Sequence, residues 1–169
     1  MIKTIIFDFG DIFVNLDKPA TFRELKHHRI ENFTEIIVKN NLDYEKGLIT
    51  SDEFITNYIN EYSHLDQEKV TNSWNAILKD FPLYRFRFIK KLSEEKEYKL
   101  ILLSNTNEIH IDYIKENVPF FEDFRNCFDA FYLSHEINFR KPDPEIYKFV
   151  LQKHDLKPEE CLFIDDTKE

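Results

Sequence analysis

Short apolar runs that stop at a polar residue punctuate this chain, and longer stretches with apolar positions three or four apart lie between them. Lys3 to Asp8 is β-branched and apolar, which predicts strand one; Lys99 to Ser104, Asp129 to Leu133 and Leu162 to Asp165 predict three more. Continuous apolar runs of this length suit parallel strands buried on both faces. From about Lys18 to Lys79 the pattern is helical. Thr50-Ser51-Asp52-Glu53 reads as a capping box, and behind it Phe54, Tyr58 and Tyr62 recur every fourth residue beside Ile55 and Ile59. Asp66 suits the cap of a further helix carrying Val70, Trp74, Ile77 and Leu78, and Gly47 suits the end of the helix before them. Phe81-Pro82 breaks the pattern. Tyr84 to Phe88 alternates like a strand, but Ile89 and Leu92 continue it at helical spacing, so a helix is expected. Another helix is expected near Glu108, and one capped by Asp143 with Pro144 at its first position.

Strands separated by helices predict an α/β fold with a Rossmann-like parallel sheet and right-handed crossovers. The helical stretch after strand one is too long for a simple crossover and reads as a helical lid. The expected division is a core of residues 1–15 and 83–169 and a cap of 16–82. The chain stops at Thr167-Lys168-Glu169, where a helix is expected to begin. A doubly wound sheet would continue with that helix and a further strand, so both are expected to be missing here, leaving strand four as an exposed edge.

Composition narrows this picture. The 169 residues suffice for one domain with an insertion, and 42% hydrophobic residues suffice for a core. A net charge of −9 without a basic run disfavours a nucleic-acid partner. Cys127 and Cys161 do not make a disulfide framework, no apolar run approaches the roughly 20 residues of a membrane helix, and Asp8 interrupts the apolar start. A cytoplasmic protein without a membrane partner is the expectation. The six histidines show no zinc-like spacing, and His110 reads as structural. Tyr44, Tyr58, Tyr62 and Trp74 read as the lid's own core before a ligand pocket.

Three of the four strands deliver chemistry. Phe7-Asp8-Phe9-Gly10 ends strand one, Ser104-Asn105-Thr106-Asn107 ends strand two, and Asp165-Asp166 ends strand four; Arg140-Lys141-Pro142 lies between. A carboxylate, a hydroxyl, a lysine and an acidic pair at one sheet edge suit nucleophilic phosphoryl transfer with a hard cation. Each station has a plainer reading: a strand-end turn for Asp8 and for Ser104, a solvated charge for Lys141, a helix cap for the acidic pair.

In this order the four stations resemble those of the haloacid dehalogenase superfamily, and the helical insertion resembles its C1-type cap. Asp8-Phe9-Gly10, Leu103-Ser104-Asn105-Thr106-Asn107 and Tyr132-Leu133-Ser134 are similar to the glucose-1-phosphatase-like branch. The resemblance implies Asp8 as nucleophile, Ser104 and Asn105 as phosphate contacts and Lys141 as charge neutraliser. It implies Asp8, the Gly10 carbonyl and Asp166 as Mg²⁺ ligands, with Asp165 assisting. The implied activity is hydrolysis of a small phosphorylated metabolite, a sugar phosphate among the candidates; the exposed strand-four edge leaves a monomer or homodimer as the expectation. One departure stands out: many relatives carry a second Asp two residues after the nucleophile, where this chain has Gly10, and Asp11 is displaced by one residue. That weakens a phosphomutase reading. A non-catalytic binding or regulatory protein on the same fold is the main rival. A dehalogenase would not need the acidic pair, and a signalling receiver domain would place its acidic pair first.

Overall fold

In this computed structural model, residues 1–167 are described. The elements run β1 (Thr4–Phe7), α1 (Ala20–His27), α2 (Glu35–Glu45), α3 (Ser51–Glu61), α4 (Gln67–Asn75), α5 (Leu83–Glu95), β2 (Lys99–Ser104), α6 (Glu108–Asn117), α7 (Phe121–Arg125), β3 (Ala130–Leu133), α8 (Ser134–Ile137), α9 (Pro144–Lys153) and β4 (Cys161–Ile164). The four strands form one parallel sheet in the order β3-β2-β1-β4. This is the α/β architecture expected. The helix anticipated at Thr167-Lys168-Glu169 would rest on Lys168 and Glu169, which lie outside the described residues.

Alternation along the strands sorts side chains onto two faces. Ile5, Phe7, Leu100 and Leu102 join a phenylalanine-rich cluster with α5, α6 and α7. Ile6, Ile101 and Leu103 face the other way, onto Ile146 and Val150 of α9. Within the first cluster Phe9, Phe13, Phe81 and Phe124 contact one another, mostly tilted or edge to face. On β4, Leu162 and Phe163 stay exposed.

A third cluster lies within the long insertion: Leu25, Ile37, Tyr44, Phe54, Tyr58 and Trp74 among others. The aromatic residues singled out in the sequence pack on each other here; Tyr44 stacks on Phe54 at 4.2 Å between centroids. The capping box at Thr50 forms in both directions, and Asp66 caps α4 through Lys69 N–H. Gly47 follows α2 with φ 64°. Two chain passages connect this insertion to the sheet, and they are laced together. Asn15 N–H donates to Asp80 O at 2.9 Å, Lys79 N–H to Asn15 O at 2.9 Å, and Asp17 N–H to Ile77 O at 2.8 Å. Among the described residues no helix is long and apolar enough to cross a membrane.

Local expectations change in three places, the first being that α4 ends at Asn75, so Ile77 and Leu78 lie beyond the helix expected to carry them. Asp143 occupies the N-cap of α9 but makes no side-chain cap; its carboxylate pairs with Lys46 Nζ at 2.8 Å, so a partner across the insertion wins over the local bond. The short helices α7 and α8 had no sequence signal, because four or five residues are too few for a helical period to show.

Candidate active site

Parallel strands end together, so residues just past their C-termini meet. Phe7 is in register with Leu102 on one side and Ile164 on the other, and Asp8 N–H donates to Ile164 O at 2.9 Å. Asp8 therefore emerges between the end of β2, with Ser104, and the Asp165-Asp166 pair after β4. One carboxylate oxygen from each of Asp8, Asp165 and Asp166 lies within 4.8 Å of the others.

Lys141 enters from the loop between α8 and α9, across a cis peptide to Pro142. Its Nζ lies 2.9 Å from Asp8 Oδ1 and 2.5 Å from Asp165 Oδ2, and its side chain is only 6% exposed. Burial pushes the Asp8 carboxyl above its ordinary pKa, and the Lys141 charge opposes that rise. At Asp165 burial also pushes upward, but hydrogen bonds from Lys141 and the Thr167 N–H outweigh it and the pKa is lowered. Both Asp165 oxygens are engaged, Oδ2 by Lys141 and Oδ1 by Thr167 N–H at 2.8 Å.

Asn105 holds the lysine loop in place. Its Nδ2 donates to Lys141 O and its Oδ1 accepts from Lys141 N–H, both at 2.8 Å. Its side chain thus positions Lys141, which leaves its main chain for any phosphate contact. The Ser104 hydroxyl is buried and donates a long 3.4 Å bond to Asn105 O. Ser134 Oγ both accepts from Thr106 N–H and donates to Thr106 O at 3.0 Å, tying the β2 turn to α8. Asn107 caps α6 through His110 N–H.

Gly10 packs against Leu16. A Cβ there would lie 2.7 Å from Leu16 Cδ1, so Leu16 fills the space a side chain would need. The Gly10 carbonyl accepts from Ile12 N–H at 2.6 Å. The Asp11 carboxylate has partners of its own. Asp11 adopts φ 53°, its Oδ1 accepts from Leu16 N–H at 2.9 Å, and its Oδ2 lies 3.3 Å from Lys18 Nζ.

The sequence reading missed Lys18 and Glu45. Lys18 Nζ lies 2.5 Å from Asp166 Oδ2 and bridges it to Asp11. Glu45, at the end of α2, lines a cleft of about 120 Å³ together with Gly10, Leu16, Ser104, Asn105 and His110. Nothing in their local patterns marks either residue, because both reach the site through the insertion's tertiary packing. His110 is held on both ring nitrogens, 3.1 Å from Asn107 Nδ2 and 3.0 Å from Trp74 O, and stacks on Trp74. It ties the insertion to α6.

Known proteins resemble this chain in sequence and in fold. A family model described as haloacid dehalogenase-like hydrolase matches residues 2–169. D-ribitol-5-phosphate phosphatase of Bacteroides thetaiotaomicron is 28% identical, over 98% of this chain and 84% of that protein. A solved haloacid dehalogenase family enzyme of the same organism, in a magnesium complex, superposes with a TM-score of 0.87 at 34% identity, covering 99% of this chain and 85% of that one. A wild-type complex of that enzyme with magnesium and inorganic phosphate superposes at 0.84, and a predicted family hydrolase of Porphyromonas gingivalis at 0.82 with 27% identity.

Proposed function

Because the chain belongs to the haloacid dehalogenase-like hydrolases, we propose that it is a Mg²⁺-dependent phosphatase. Its substrate would be a small phosphate monoester, hydrolysed through an aspartyl-phosphate on Asp8. The observation that carries this reading is the convergence of Asp8, Asp165 and Asp166 on one point, with the Lys141 ammonium between two of them.

The donor set fits a hard divalent cation, which takes oxygen ligands. Four carboxylates (Asp8, Asp11, Asp165 and Asp166) face two ammonium groups (Lys18 and Lys141), leaving two negative charges for a dication to cancel. Asp8, Asp166 and the Gly10 carbonyl would hold it, while Asp165 is committed to Lys141. When bound, the ion would supply electrostatic stabilisation of the phosphoryl oxygens.

The chain's own groups account for the remaining steps. An Asp8 oxygen attacks phosphorus, the bond from phosphorus to the ester oxygen breaks, and the alcohol leaves with a proton from water. Water then attacks phosphorus, releasing inorganic phosphate and restoring the Asp8 carboxylate. Lys141 neutralises charge that grows on the phosphoryl oxygens, and Ser104 with the Asn105 main chain lies beside them. Gly10 supplies no side-chain acid at that position, which suits one-way hydrolysis better than a mutase that shuttles protons on sugar hydroxyls.

Residues 16–82 would act as a lid over a core of 1–15 and 83–169, closing to exclude water. The phosphatase relative directs the first substrate trials to five-carbon polyol phosphates and sugar phosphates. A cytoplasmic location, acting on a small metabolite as a monomer or homodimer, completes the reading.

Phosphate release from p-nitrophenyl phosphate and D-ribitol 5-phosphate, with Mg²⁺ and with a chelator, tests it. Turnover should need Mg²⁺, and Asp8→Asn should lower it more than about 10³-fold. Unchanged turnover in Asp8→Asn removes the covalent mechanism. No turnover of either ester, or of a broad phosphate panel, favours the binding-protein rival.

A further inference from the structure

The turn after α2 is fastened to the core segment 135–143. Gly47 packs so closely that a Cβ would lie 1.9 Å from His135 O. Asn138 Nδ2 donates to Lys46 O at 2.8 Å and to Gly47 O at 3.3 Å, and Lys46 Nζ pairs with Asp143. Arg140, the residue before Lys141, completes the fastening. Its Nε at 3.1 Å and its Nη2 at 3.0 Å both meet one oxygen of Glu45, Oε2. The other oxygen, Oε1, has no hydrogen-bond partner among the described residues. Glu45 nevertheless lines the cleft that contains Gly10, Ser104 and Asn105.

We propose that Glu45 determines specificity for the leaving group: Oε1 accepts a hydrogen bond from a hydroxyl of a polyol or sugar monophosphate while its phosphate sits at Asp8. The proposal rests on the phosphatase reading above and gives that site a substrate class. A carboxylate anchored through one oxygen offers the other at a defined point, and its ordering costs are met before the ligand arrives. Burial raises the Glu45 pKa, with Arg140 opposing, and a more basic carboxylate is a stronger hydrogen-bond acceptor. Val14, Leu16, Ile77 and Leu78 line the same cleft with apolar surface suited to the carbon skeleton between hydroxyls. A fixed negative group at this position also disfavours a second phosphate or a carboxylate on the leaving group. The expected order is polyol or sugar monophosphates first, aryl phosphates next, bisphosphates last.

The test compares kcat and KM of the full chain, Glu45→Gln and Glu45→Asp on D-ribitol 5-phosphate and p-nitrophenyl phosphate with Mg²⁺. Thermal unfolding monitors the fold. Glu45→Gln keeps the shape but loses the charge-assisted bond. The ratio of kcat/KM for polyol over aryl ester should fall at least about tenfold, with the loss in KM for the polyol ester. Glu45→Asp, which keeps the charge but withdraws it, should fall between wild type and Glu45→Gln and serves if the amide variant folds poorly. A ratio within about twofold of wild type in a folded variant overturns the proposal. So does a fall in kcat at constant KM, which would make Glu45 an acid acting on the leaving oxygen. An inactive wild-type chain would overturn the phosphatase reading and this proposal together, whereas an active one indifferent to Glu45 overturns this proposal alone.

Discussion

Lys141 and Lys18 bring the same charge to the same acidic cluster from two different parts of the molecule. Lys141 belongs to the sheet's loops, is clasped through its main chain by Asn105, and keeps 6% of its side chain exposed. Lys18 follows the laced passages into the insertion, and 56% of its side chain is exposed. A buried ammonium between the buried Asp8 and half-buried Asp165 carboxylates has no cheap substitute, because removing it leaves charges unpaired in a poorly solvated site. An exposed ammonium is already largely solvated, so its pair contributes little. The contrast separates a charge on which the reaction depends from one that adjusts the site.

Of the two lysines, the larger expected effect therefore comes from Lys141→Met. It should lower turnover by about 10² to 10³-fold and destabilise the fold at neutral pH by about 3 kcal/mol, as Asp8 and Asp165 lose their shared partner. Steady-state kinetics and urea unfolding measure both. Turnover within tenfold of wild type would mean that Lys141 is structural and that the contrast with Lys18 has no chemical meaning.

The same contrast explains what could be read from the sequence. Asp8, Ser104, Asp165 and Asp166 stand at the ends of apolar runs, and parallel strands in register must bring such ends together. Lys141 was legible only through its Arg-Lys-Pro-Asp-Pro setting. Lys18 and Glu45 have no such marker, since their positions depend on how helices α1 to α4 pack on one another and dock on residues 135–143. The family resemblance implies Asn105 as a phosphate contact and says nothing of what its side chain does. The side chain's partner proves to be the Lys141 main chain, a contact across 36 residues that no local pattern encodes. The buried strands β1 and β2 read well because a continuous apolar run records burial on both faces, whereas α7 and α8 are too short to have a period.

His110 sharpens the comparison at the junction itself. Desolvation under Trp74 pushes its pKa down to about 4, so the folded chain resists its protonation while the unfolded chain does not. Between the unfolded value near 6.5 and about 4 the unfolded state binds the extra proton, so stability falls as pH drops through that window and changes no further from this group below it. The effect reaches up to about 3 kcal/mol. His110→Gln should flatten this part of the stability profile, measured by urea unfolding at pH 7 and pH 5. An unaltered slope in the variant would assign the loss to other groups and leave the Trp74 contact without a role in it.

The smallest effect belongs to Lys18, and it has the opposite sign for cation and for fold. Lys18→Met deletes two ion pairs, to Asp166 and Asp11, at a largely exposed group, so the cation-free protein should lose less than about 1 kcal/mol. Asp166 would then face the proposed Mg²⁺ site without a competing ammonium. Mg²⁺ affinity measured by calorimetry should rise about three- to tenfold, because a like charge nearby is removed from the site. The two lysines would then be distinguished by binding alone, without reference to turnover. Should Lys18→Met bind Mg²⁺ more weakly than wild type, the ammonium orders the carboxylates for the cation, and both lysines serve one purpose at different depths.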